Sequence, residues 1–347
     1  MRVRVTKVWA VAGLLLVLAL VGGAGLYLLF GPGPEPASPD GTVVFIRRGL
    51  PADSIAILLR RSGVVRSAKQ FLLASRLLGK TDELKWGRYR FPPRVSCSQA
   101  VYALAEGKVE AVKVTIPEGW RSWEIAALLR DRVGADSARF LHLVHSDSLR
   151  KTFGIEGPSL EGYLFPDTYY LAWGMPEEEI IRTLVRRCLA ALDSSIRARA
   201  DSTNLTLHQL LTLASLVEGE AKVDSERAMV AAVYLNRLRK GMRLEACPTI
   251  QYLLGGPPRR LLKKDLEIES PYNTYLHPGL PPGPVNNPGL KSVSAVLHPA
   301  PVDYLFLVAR GDGGHYFSRT FAEHVRQRRQ LDRLRREMGR QNQTRGN

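Results

Sequence analysis

Cysteine is nearly absent: Cys97, Cys188 and Cys247 are the only three, far apart and odd in number. That usage excludes a disulfide framework and a cysteine zinc site, and the three read as small apolar side chains. Metal-ligand spacing is missing as well. His277, His298, His315 and His324 form no His-Glu-x-x-His pattern, so no metal is expected. No zinc-finger spacing and no RNA-binding signature is present, which argues against nucleic acid as a partner. Acidic residues are in the minority, 33 against 49 Lys and Arg, for a net charge of +16. With nucleic acid set aside, a basic balance points to a membrane surface or an anionic polymer.

Long apolar runs are also scarce, with one exception at the N-terminus. Arg2, Arg4 and Lys7 precede an uncharged stretch from Val8 to Phe30. As a helix those residues would span ~35 Å, enough for one bilayer crossing and longer than a signal-peptide core. The expectation is a cytoplasmic N-terminus (1–7) and a single-pass anchor (8–30) in the cytoplasmic membrane. The flanking charge then puts everything that follows outside. Gly31 to Pro39 is a stiff Pro/Gly linker, within 31–41. At the other end, His324 to Asn347 carries eight Arg against Asp332 and Glu337, and 326–347 reads as a basic tail for anionic wall polymer or lipid headgroups.

Between these ends the chain repeats itself. Val44-x-Ile46-x-x-Gly49 followed by Ile55-Ala56-x-Leu58-Leu59-Arg60 returns seventy residues on as Val114-x-Ile116-x-x-Gly119 and Ile125-Ala126-x-Leu128-Leu129-Arg130. Each copy predicts a strand, a Gly turn and two helices. Trp86 to Phe91 reads as a strand and Ser96 to Glu106 as a helix ended by Gly107. Residues 42–110 are thus expected to form a small α+β module. Its strand–helix–helix–strand order is similar to a LysM-like domain, a type that often binds aminosugar polymers. Beyond it a mixed α+β domain is expected over 111–325. Glu177 to Ala198 reads as a surface amphipathic helix and Ser225 to Arg239 as another. Residues 242–320 are rich in Gly, Pro and Asn and read as long functional loops.

The chemistry points to one helix. Thr206 and Gln209 form a Thr-x-x-Gln capping box, and Leu207, Leu210, Leu211, Ala214 and Val217 recur at helical spacing. At ~100° per residue Glu218 lands within roughly 20° of both Leu207 and Leu211, on the apolar face. A carboxylate there needs a partner or a cleft, and a partly apolar setting suits a general acid. Glu220 falls roughly 200° further round, on the side expected to face water.

In their order along the chain, several pieces resemble the YceG-like family, the endolytic murein transglycosylases. They are Ile116-Pro-Glu-Gly119, Leu160-Glu-Gly-Tyr-Leu-Phe-Pro-Asp-Thr-Tyr169, Leu213-Ala-Ser-Leu-Val-Glu218 with Glu220, and Asn236-Arg-Leu238. Pro248-Thr-Ile250, Ser270-Pro-Tyr-Asn-Thr-Tyr275, Gly279-Leu-Pro-Pro-Gly283, His298-Pro-Ala300 and Gly313-Gly-His315 complete the set. The family's catalytic acid carries over to Glu218, the residue that the helical face selects independently. One departure is Cys247, where the family commonly has Asp.

The resemblance implies a lytic transglycosylase that cuts the bond between N-acetylmuramic acid and N-acetylglucosamine within glycan strands. Glu218 would protonate the glycosidic oxygen and then take the proton of the substrate's own C6 hydroxyl, which closes on C1 to leave a 1,6-anhydro end. No cofactor is required. The implied partners are glycan strands, the cytoplasmic membrane and cell-wall synthesis proteins, and the implied role is to limit or terminate nascent strands. Tyr272, Asn273, Tyr275 and His315 are candidates for sugar contacts, with turn capping and packing as the alternative. Glu161 and Asp167 are candidates for a second acid or for hydrogen-bonded turns. A hydrolase using water at the same Glu218, or a non-catalytic wall-binding scaffold, are the competing functions.

Overall fold

The computed structural model describes residues 15–329 except 24, 28, 36, 37 and 48, together with residue 333. The chain divides into two units. The first runs to Lys113 and takes in Arg132–Gly134 and Tyr170–Met175; the second holds Val114–Asp131, Ala135–Tyr169 and everything from Pro176 on. Helices alternate with three two-stranded sheets, an α+β arrangement.

The expected membrane-spanning helix is corrected. Among the described residues no helix is long and apolar enough to cross a membrane. Residues 1–14, which hold the basic flank and the start of the run, lie outside the described residues, as does the tail from 334 on.

In the first unit β1 (Thr42–Ile46) is followed by α1 (Ala52–Arg61), α2 (Ala68–Leu77), β2 (Gly87–Phe91) and α3 (Cys97–Glu106). β1 and β2 run antiparallel, with Val44 opposite Tyr89 and Ile46 opposite Gly87. The alternate residues Val44 and Ile46 point inward with Tyr89 and Phe91, onto Ile55, Leu59, Phe71, Val101 and Leu104. Each such side chain contributes about 1.5–3 kcal/mol by leaving water. Ser96 and Gln99 close a capping box at the start of α3, and Gly107 ends it at φ +74°.

The sequence echo is also a structural one. β3 (Ala111–Thr115), α4 (Ser122–Val133) and α5 (Ser137–Val144) repeat the strand–helix–helix order of β1, α1 and α2. α6 (Asp147–Thr152) and β4 (Thr168–Ala172) follow, and β4 pairs with β3.

The rest is helical, with one hairpin: α7 (Glu177–Ala191), α8 (Ser194–Ser202), α9 (Leu207–Glu220), α10 (Arg227–Arg239), α11 (Cys247–Leu254), α12 (Leu290–Leu297), β5 (Phe306–Ala309) and β6 (His315–Ser318). The helix expected over 177–198 is broken at Leu192. Asp193 accepts the Ile196 amide at 3.0 Å and so starts a new helix, a role Asp takes more readily than a place inside one. The region 242–320, expected as loops, contains α11 and α12. α9 packs on α10, α11 and α12, and every residue from Leu210 to Val217 is buried. Between its first turn and its last, where the carboxylates are, that helix therefore has no face in water.

Candidate active site

The capping box of Thr206 and Gln209 is formed as expected and fixes the start of α9. Glu218 stands three turns on, with its side chain 6% exposed. Three donors close on it. Its Oε1 accepts Arg227 Nη1 of α10 at 3.0 Å. Its Oε2 accepts the Gly289 amide at 3.0 Å and the Ser292 hydroxyl at 2.8 Å, both from the start of α12, whose dipole favours a negative charge there. Arg227 Nη1 also reaches Ser292 Oγ at 2.5 Å, and its Nε pairs with Asp224 at 3.0 Å. The partly apolar setting expected for Glu218 is thus replaced by a polar clamp built from three separate segments. Gly119, of the Ile116–Gly119 motif, lies against it: a Cβ there would stand 3.4 Å from Glu218 Cγ.

Glu220 does not face water as expected. Its side chain is 13% exposed; it accepts the Tyr234 hydroxyl at 3.2 Å and lies 3.7 Å from His315 Nε2. The other ring nitrogen of His315, Nδ1, is 2.9 Å from Glu226 Oε2, and the His315 amide donates to Glu226 Oε1 at 3.1 Å. Burial pulls the imidazole's pKa down, but Glu220 and Glu226 outweigh it and hold the ring above its ordinary value. His315, a candidate sugar contact, is therefore a buried link between two carboxylates. Glu220→Gln weakens that link without touching the Glu218 clamp. It is expected to lower stability by about 1–3 kcal/mol and to reduce turnover less than the matching change at 218. Urea melts and turnover measured on one preparation check both.

The remaining candidates separate. Asn273 is fully buried, and its amide bonds only backbone: Leu266 O at 3.0 Å, Ile268 O at 2.8 Å and the Tyr275 N–H at 2.9 Å. It is a turn-holding residue. Tyr275 places its hydroxyl 3.3 Å from Cys247 Sγ, and Tyr272 stacks at a tilt on Tyr252, ring centres 4.9 Å apart. Both belong to the Ser270–Gly283 loop, which also lines a cavity of about 490 Å³ with Glu269, His277 and Pro281. Asp167 pairs with Arg187 at 2.6 Å. The Thr168 amide, with Arg187 behind it, holds its carboxyl below the usual range. Asp167 makes no contact with Glu218. Among the described residues no group of three His, Cys, Asp or Glu is placed to hold a metal.

Glu161 is 1% exposed and receives the Ser122 hydroxyl at 2.6 Å, the Ser122 amide at 3.0 Å and the Asn287 amide at 2.7 Å. It caps α4 and, through Asn287, which also takes the Gly162 and Leu164 amides, fixes the loop that delivers Gly289 to Glu218. Burial drives its carboxyl up to about 7, against the pull of Ser122, Asn287 and Arg121. The unfolded chain titrates near about 4.3. Between those values the native state holds the extra proton, so stability falls as pH rises through the interval and levels off above it. Glu161→Gln abolishes this titration. From pH 5 to pH 8 the variant is expected to gain roughly 2–3 kcal/mol relative to the parent in urea melts. Parallel curves would contradict the assignment.

A family model described as the YceG-like family matches residues 44–330, most of the chain and all of these side chains. The chain belongs to the YceG-like family. It is 32% identical over 330 residues to the endolytic murein transglycosylase of Bacillus subtilis strain 168, covering 88% of this chain and 89% of that protein. It is 29% identical to the protein of the same name in Streptococcus pneumoniae D39, covering 91% of this chain and 64% of that longer protein. A crystal structure of a yceG-like protein from Listeria monocytogenes is similar with a TM-score of 0.58 at 33% identity, over 83% of this chain and 99% of that one.

Sequence reasoning reached Glu218 but not its clamp. Arg227, Gly289 and Ser292 carry no spacing that points to a carboxylate, because they meet it only through the packing of α10 and α12 on α9.

Proposed function

We propose that this chain is a lytic transglycosylase acting on peptidoglycan, cutting glycan strands internally with Glu218 as its acid. The observation that carries the reading is the enclosed Glu218 carboxylate at the end of a buried helix, held in place by Arg227, Ser292 and the Gly289 amide. The relatives named as endolytic murein transglycosylases support peptidoglycan as the substrate and transglycosylase as the activity. In its protonated form Glu218 donates a proton to the glycosidic oxygen as the bond to C1 of N-acetylmuramic acid breaks. The C6 hydroxyl of that sugar closes on C1 and gives up its proton, leaving a 1,6-anhydro end. The nucleophile belongs to the substrate, so no carboxylate has to activate a water, as an inverting glycosidase requires.

The working site is then outside the cytoplasmic membrane, where murein is, with cell-wall synthesis proteins as neighbours and limitation of nascent strands as the role. The β1–α1–α2–β2 order of the first unit supports reading residues 42–110 as a LysM-like grip on aminosugar polymer. Incubation with long purified glycan strands tests the activity. Rapid shortening by internal cuts is expected; binding without shortening would leave only a wall-binding scaffold.

A further inference from the structure

The Ile116–Gly119 motif has so far supplied only a glycine beside Glu218, yet it also carries a carboxylate. Glu118 is exposed, and its carboxylate makes no hydrogen bond or ion pair among the described residues. Lys291 feels its charge but is itself bound to Asp224. The Glu118 side chain lies over Gly289: a Cβ built on that glycine would come 2.0 Å from Glu118 Oε1 and 2.1 Å from Cδ. Gly289 is the residue whose amide holds Glu218 Oε2. Two carboxyl groups therefore flank one glycine, Glu218 enclosed and Glu118 open. Glycine at 289 answers to this contact and not to backbone strain, since its φ is −80°. The duplicated turn makes a contrast: at the same place in the first copy the residue is Arg48.

We propose that Glu118 is a second catalytic carboxylate of this site, the base that receives the proton of the substrate's C6 hydroxyl. The inference rests on the reading of Glu218 as the acid. A carboxylate offers about four acceptor sites. Three donors already occupy Glu218, whereas the Glu118 oxygens are unclaimed. The step balances. The C6 O–H proton passes to Glu118 as the C6 oxygen bonds to C1; the bond from C1 to the leaving oxygen breaks, and that oxygen takes the proton from Glu218. Exchange with solvent afterwards returns a proton to Glu218 and removes one from Glu118. No oxidant, metal or added water enters.

The test is a set of variants of the full chain assayed on purified glycan. Glu118→Gln is expected to lower kcat by roughly 100-fold with KM little changed, within the range typical of a lost general base. Its thermal melt should match the parent, because the side chain is exposed and bonds nothing. Glu118→Ala with added sodium formate should regain part of kcat, which a merely structural residue would not show. Gly289→Ala keeps the amide that binds Glu218 but puts a methyl group where the Glu118 carboxyl lies, and should also depress kcat. Glu118→Gln within about threefold of the parent, while Glu218→Gln is dead, would overturn the inference and leave Glu218 as acid intact. A raised KM at unchanged kcat would make Glu118 a substrate contact instead and equally overturn it. Full activity in Glu218→Gln would remove the acid itself, and this inference with it.

Discussion

Glu218→Gln is expected to reduce turnover on purified glycan strands by ~100-fold or more, with the fold intact. The amide keeps the length and planarity of the side chain, and its oxygen can still accept from Gly289 or Ser292. It cannot donate a proton to the glycosidic oxygen. Burial sharpens the effect, because an enclosed side chain cannot be replaced by a passing water or buffer ion. A variant that retains turnover within a fewfold of the parent would remove Glu218 from the chemistry. Equal loss on Glu220→Gln with both proteins folded would mean the two carboxylates act as a unit through His315 and α10.

Arg227→Met is expected to have the largest effect on stability, about 3–5 kcal/mol, because it leaves a carboxylate enclosed without its charge partner. Arg227 and Glu218 are 10% and 6% exposed, and their contact is 3.0 Å. At two to four degrees per kcal/mol for a unit of this size, the melt should fall by roughly 6 °C or more. The double variant Glu218→Gln with Arg227→Met should recover much of the loss, since no unpaired charge remains. Additive losses in that cycle would show that Arg227 acts mainly through Asp224 and Ser292.

The helix carrying Glu218 was legible because several local signals agreed: a capping box, an apolar run at helical spacing, and a carboxylate on the same face. What surrounds Glu218 was not. A helical wheel assumes one wet side, and α9 has none from Leu210 to Val217, so Glu220 was wrongly given to solvent. For Asn273 and His315 the sequence left two roles open, sugar contact and turn capping or packing. Polar residues in a Gly- and Pro-rich stretch look available for sugar, but these two are buried and bonded to the protein itself. Whether an Asn holds its own turn or binds a ligand depends on which groups tertiary packing brings within reach. The apolar N-terminal run failed differently: length and hydropathy suggested a bilayer crossing, but among the described residues no helix is long and apolar enough for one.

The central claim is that the substrate's own C6 hydroxyl, not water, attacks C1 at the Glu218 site. Cleavage of purified glycan strands in water enriched in ¹⁸O, followed by mass analysis of the new ends, tests it most directly. The account predicts N-acetylmuramic ends one water lighter than a reducing end, without label. Reducing ends carrying the heavy oxygen would contradict it and make the enzyme a hydrolase.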